Sequence, residues 1–222
     1  MKEYGIFDII GPVMIGPSSS HTAGAARLGF IAGKIAGEEV REVVFYLHGS
    51  FAKTYAGHGT DKALLAGVLG LMPDDEGIRD AFMLAREKGV IYRFQESDLG
   101  EVHPNTVKIV MKTLSGEKWE VTGSSIGGGK VKIIRINELE VEFEGEYTTL
   151  ITYHQDRPGV IADISAVLSK YKINIAFMRV FRENKAANAA LIAETDEDIS
   201  PLALAEIEKV PRIIQVKVLQ PI

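Results

Sequence analysis

The stretch "IGPSSSHTAGAARLGFIAGKIAG" (Ile15–Gly37) decides how the first half of the chain is built. A serine run usually marks a flexible linker, yet here it runs straight into residues with helical periodicity. Leu28, Ile31 and Ile35 recur at helix spacing, and on a neighbouring face Ala25, Gly29, Gly33 and Gly37 recur every four residues. The spacing predicts a helix over 22–37. Three glycines in a helix cost about 1 kcal/mol each relative to alanine, so another backbone should approach that stripe closely. A membrane-spanning small-residue motif is excluded, because Arg27 and Lys34 interrupt the segment.

Working outward, "REVVFYLHGS" (41–50) alternates and reads as a strand ending at His48-Gly49. "TDKALLAGVLGL" (60–71) reads as a helix capped by Thr60 or Asp61 and closed by Pro73. "EGIRDAFMLAREKG" (76–89) reads as a third helix and "VIYRFQE" (90–96) as a strand. Residues 105–143 then give three or four strands separated by "SGE" and "GGG" turns. The first domain is therefore mixed α+β and is placed at residues 1–145. Residues 146–222 read as βαββαβ: strand, helix opened by "RPG", a hairpin, a helix capped by Ser200 with Pro201 at its first position, and a closing strand.

Bulk composition narrows the function. The chain has 222 residues, 46% of them hydrophobic, and a formal net charge of −5. That balance provides no basic surplus for nucleic acid or an anionic membrane surface. No apolar run approaches the roughly 18 residues of a membrane span, and "MKEYGIFDII" lacks the core and cleavage site of a secretory signal. A cytoplasmic location is expected. There is no cysteine, which excludes disulfides, thiol nucleophiles and an iron–sulfur cluster held by this chain. The five histidines (21, 48, 58, 103 and 154) show no metal-binding spacing, so no metal site is expected.

Two short stretches could carry chemistry. Ser18, Ser19, Ser20, His21 and Thr22 exceed what a helix cap needs, since one hydroxyl suffices. Hydroxyls, free backbone N–H groups and the positive helix end together suit a small carboxylate. At that helix start the imidazole of His21 should stay neutral and able to act as a base. "GHGT" (57–60) repeats the pattern, placing His58, Gly59 and Thr60 at the start of the next helix, so that two histidines could converge on one ligand. "GGGK" (127–130) lacks phosphate-loop spacing and precedes a strand, so it reads as a hairpin turn. Lys53 in "SFAKT" has no glycine-rich phosphate loop to accompany a pyridoxal phosphate. His48, at a strand end, reads as structural.

"GPSSSHTAG", "GHGTD", "HPN" (103–105) and "SIGGG" (125–129), in that order, resemble the β subunit of iron–sulfur-dependent L-serine dehydratases. "DRPGVIADIS" (156–165) resembles the signature turn of ACT domains, small modules that pair with one another and bind amino acids. The resemblance implies a serine dehydratase β domain followed by a ferredoxin-like ACT domain. It also implies a separate, cysteine-bearing α subunit that carries a 4Fe-4S cluster. Such enzymes convert L-serine to aminoacrylate, which hydrolyses to pyruvate and ammonia. In that light Ser18, Ser19, Ser20 and Thr22 would hold the substrate carboxylate, with Gly59 and Thr60 beside it. His21 and His58 are both candidates for the base, while His103 and Asn105 are supporting partners or merely a turn shaped by Pro104. Asp156, Arg157, Gly159, Val160 and Asn174 would form the ACT ligand site, and the ACT domain would mediate self-association. The competing expectation is a regulatory subunit that senses serine and performs no chemistry.

Overall fold

In the computed structural model the described residues are 13–182 and 187–222. The opening "MKEYGIFDII" and residues 183–186, within the expected second-domain hairpin, lie outside them. The chain divides into two units, Met1–Asn137 and Glu138–Ile222.

In the first unit the chain enters its first helix through a π-helical turn, Ser19–Ala23, and continues as α1 (Gly24–Ala36). Strand β1 (Val40–Leu47) follows, then helices α2 (Gly49–His58) and α3 (Thr60–Val68). A 3-10 turn (Glu76–Asp80) leads into α4 (Ala81–Glu87) and β2 (Ile91–Glu96). Strands β3 (Thr106–Thr113), β4 (Lys118–Gly127) and β5 (Lys130–Ile136) complete it. The strand order is β2-β1-β3-β4-β5. Only the β1–β2 pairing is parallel, as the intervening helices require; the hairpin-linked strands pair antiparallel.

The backbone that the small-residue stripe demands is α3. A Cβ on Gly29 would collide with the carbonyl oxygen of Leu64 and sit 3.0 Å from the Val68 nitrogen. One on Gly67 would collide with the Ala26 oxygen and lie 2.6 Å from the Phe30 nitrogen. Glycine is thus required on both helices, and their close contact offsets the entropy it costs. The apolar face of α1 (Leu28, Ile31, Ile35) is buried, as are the alternate residues Val43, Phe45 and Leu47 of β1 and Ile109 and Met111 of β3. Gly123 in β4 leaves room for Leu28, whose Cδ2 would lie 2.6 Å from an added Cβ.

Three expectations for this unit are corrected. Residues 49–58 form a helix, α2, that periodicity did not reveal; its first turn is held by Pro104, whose carbonyl accepts from the Ser50 N–H at 2.8 Å. The cap of α3 is Gly59, in the left-handed region at φ 68°, and neither Thr60 nor Asp61 caps with its side chain. The third helix is shorter than 76–89: Asp75 accepts from Gly77 at 2.8 Å and starts a tight 3-10 turn, in which Gly77 is a poor α-helix former.

The second unit opens with β6 (Leu139–Phe143) and continues β7 (Thr148–Gln155), α5 (Val160–Lys170), β8 (Ile175–Arg182), β9 (Asn188–Thr195), α6 (Pro201–Ile207) and β10 (Ile213–Leu219). From β7 onward this is the expected βαββαβ order. Its sheet runs β10-β7-β9-β8, all antiparallel. Leu150 and Leu191 from the sheet pack with Val160, Ile164 and Leu168 of α5 and Ile207 of α6. Ser200 caps α6, its hydroxyl accepting from Ala203 N–H at 3.2 Å, with Pro201 at the first helical position; such a cap contributes about 1 kcal/mol. Among the described residues no helix is long and apolar enough to cross a membrane.

Candidate active site

The two histidines do converge: the rings of His21 and His58 lie 5.0 Å apart. They arrive from different helix ends. His21 sits in the π-helical turn before α1, a distortion that positions side chains a regular helix would carry elsewhere. His58 is the last residue of α2, not the start of the next helix, because α2 ends there and Gly59 turns the chain into α3.

Their hydrogen bonds differ. His21 is engaged at both ring nitrogens, with Nε2 3.0 Å from Ser50 Oγ and Nδ1 3.4 Å from Ser18 Oγ. Its ring also stands edge-on to Phe51. His58 Nδ1 lies 3.3 Å from the carbonyl oxygen of Thr54. A carbonyl only accepts, so Nδ1 carries the proton and Nε2 of the exposed ring keeps its lone pair. Burial holds His21 below the ordinary imidazole range, and the charge of His58 adds to that. The neutrality expected of His21 thus comes first from desolvation and then from its neighbour.

This depression has a consequence for stability. The unfolded chain takes up a proton at His21 more readily than the folded one. The stability held by the neutral ring is complete above the ordinary imidazole pKa and is lost as pH falls through it toward the lower folded value. Buried His154 in the second unit acts in the same direction, chiefly through desolvation. The urea midpoint should therefore fall between about pH 7.5 and about pH 5.5, and His21→Gln should shrink the fall. An unchanged fall would contradict the assignment.

The hydroxyls divide into two groups. Ser18 Oγ accepts from the His21 N–H at 3.1 Å, so it serves as the helix cap. Thr22 is buried, and its hydroxyl donates to the His58 carbonyl at 3.1 Å, tying the end of α2 to the start of α1. Gly16 is required beside it, because at φ 133° it leaves space where a Cβ would meet Thr22 Cγ2 at 2.5 Å. Among the described residues, half-buried Ser19 and Ser20 have hydroxyls without a protein partner. Thr60 and Ser125 are fully buried, and their hydroxyls have no hydrogen bond.

"HPN" supports the site from outside. His103 Nδ1 accepts from Asn105 N–H at 3.1 Å, closing an exposed turn. Asn105 accepts from Ser125 N–H at 2.9 Å through its backbone, and Pro104 holds the start of α2. The chain therefore links "HPN" to His21 through Ser50. Ser50 was not singled out from sequence; a serine just after a strand-ending "HG" was its only signal. His48 is structural as expected, its Nδ1 accepting from Leu99 N–H at 3.1 Å.

In the second unit the candidate ligand residues are not brought together. Gly159 has φ 98° with open space where a Cβ would stand, and Val160 is buried. Asp156 pairs with Arg182 at 3.0 Å, near the start of β9, while Arg157 is exposed. Asn174 donates to Asp196 at 2.6 Å, just beyond the end of β9. The two groups thus lie at opposite ends of the sheet, roughly 25 Å apart for an eight-residue strand.

The side chains present do not fit a 4Fe-4S cluster. The chain has no cysteine, and among the described residues no three His, Asp or Glu side chains converge as ligands.

The arrangement sets two imidazoles and the unengaged hydroxyls of Ser19 and Ser20 at the ends of α1 and α2. Residues 5–91 match the model for the serine dehydratase beta chain, and residues 148–212 match that for the ACT domain. The chain is 45% identical to the probable L-serine dehydratase, beta chain, of Bacillus subtilis (strain 168), over 97% of this chain and 98% of that one. It is 42% identical to the L-serine dehydratase, beta chain, of Peptoniphilus asaccharolyticus, over 98% of each. A D-3-phosphoglycerate dehydrogenase of Bacillus subtilis is 27% identical over 88% of this chain but only 37% of its own length. The chain belongs to the family of L-serine dehydratase beta chains, lyase subunits, with an ACT domain as its C-terminal unit.

Proposed function

We propose that this chain supplies the α-proton base and part of the substrate cradle to an L-serine dehydratase site completed by a cysteine-bearing α subunit. The observation that carries the reading is the 3.3 Å contact between His58 Nδ1 and the Thr54 carbonyl. The Nδ1 proton is directed at the Thr54 carbonyl, which leaves Nε2 free to take the α-proton of serine. His21, neutral and held by Ser18 and Ser50, orients the pair and adds no competing charge. Ser19 and Ser20 offer unengaged hydroxyls to the substrate; Ser18 and Thr22 position the histidines. Gly59 and Thr60 shape the turn behind His58, and His103 and Asn105 brace it.

The 4Fe-4S cluster belongs to the α subunit in this reading, and the chain acts in the cytoplasm. The ACT unit pairs with a second copy, a role supported by edge strand β8 with its exposed Phe177 and Val180. Pairing would bring Asp156–Val160 of one copy toward Asn174 of the other. A second reading is that the chain only senses an amino acid and leaves all chemistry to the α subunit.

Purified alone, the chain should release no ammonia from L-serine. Anaerobic reconstitution with the α subunit should yield pyruvate and ammonia in equal amounts. Turnover by the single chain would overturn the shared site.

A further inference from the structure

A cavity of about 250 Å³ lies directly beside His58. It is bounded by Gly16, Pro17 and Thr22 on one side and by His58, Lys62 and Arg79 on the other. That volume is below the range for drug-sized ligands and suits an amino acid. No carboxylate lines it, although the chain carries 30 acidic residues against 25 basic ones.

We infer that Lys62 and Arg79 form the charge-matching half of the substrate site, gripping the carboxylate of serine while His58 faces its α-carbon. The inference rests on the proposed dehydratase reading and goes beyond it, since sequence reasoning gave the carboxylate to the neutral hydroxyls of 18–22. Lys62 lies in the first turn of α3, where the helix dipole disfavours a cation. Its ammonium uses one donor on the Arg79 carbonyl at 2.9 Å and leaves two. Among the described residues neither Lys62 nor Arg79 forms a salt bridge. The adjacent Asp61, which does not line the cavity, uses Oδ1 on the Lys62 backbone N–H at 2.8 Å and feels the Lys62 charge without pairing with it. A bound carboxylate gains charge-assisted hydrogen bonds here, which are about twice as strong as those from neutral hydroxyls. The cations thereby select an acid over an amide or alcohol of the same shape.

The test uses the enzyme reconstituted with its α subunit. Lys62→Met should raise KM for L-serine about tenfold or more with kcat changed less than about threefold. Arg79→Gln should raise KM by a smaller factor, and Lys62→Arg should restore part of the loss. Wild type should be inhibited better by 3-hydroxypropionate than by 3-hydroxypropionamide, and Lys62→Met should erase that preference. An unchanged KM in both Lys62→Met and Arg79→Gln, with KM raised by Ser19→Ala or Ser20→Ala, overturns this inference and leaves the dehydratase site standing. Unchanged kinetics in all four variants also overturns this inference and leaves the base role to the His58→Asn test. A lost kcat with unchanged KM and intact acid preference in Lys62→Met also defeats the carboxylate role.

Discussion

His58→Asn should lower kcat of the reconstituted enzyme by about 10²–10⁴-fold while KM for serine moves by less than about threefold. Asparagine keeps a donor for the Thr54 carbonyl but offers no basic nitrogen, so the turn is retained and the proton acceptor is lost. His21→Gln should cost less, about tenfold, because both its ring nitrogens are engaged by Ser50 and Ser18 rather than open to substrate. Steady-state pyruvate formation measures both. A His58→Asn enzyme with normal turnover but altered response to serine would favour the sensing reading.

Gly67→Val should be the most damaging substitution for stability. Its Cβ would collide with the Ala26 carbonyl and crowd the Phe30 nitrogen, and both are backbone atoms of α1 that cannot swing aside. The helices must separate, at about 3 kcal/mol or more. For a chain of this size that is a fall in Tm on the order of 10 °C. Gly57→Ala is the matched control: nothing lies within 4 Å of its added Cβ, so the change should be small and slightly stabilising within α2. Thermal unfolding followed by circular dichroism separates the two, and equal melting temperatures would show that α1 and α3 do not need their close approach.

How much of this was legible beforehand follows from what is local. The glycine stripe of α1 announced a missing partner because its cost is a property of the helix itself. The Ser200-Pro201 cap and the alternation of β1 are equally local signals, and they read correctly. Helix α2 was not legible: "GSFAKTYAGH" buries only Phe51 strongly and is held by the Pro104 carbonyl, more than 50 residues away in sequence. Missing that helix put His58 at the wrong end of an element, although the convergence of the two histidines was anticipated. The division of labour among Ser18–Thr22 was likewise hidden, since it depends on a carbonyl in α2 and a hydroxyl at Ser50. Lys62 drew no notice in the sequence, for only the folded chain sets it beside Arg79 and a cavity lined by no carboxylate.

The most direct measurement is the structure of the α–β assembly with L-serine bound. His58 Nε2 should lie about 3–3.5 Å from the substrate α-carbon, facing the α subunit's cluster. Serine bound there with the His58 ring turned away into solvent would contradict its role as base.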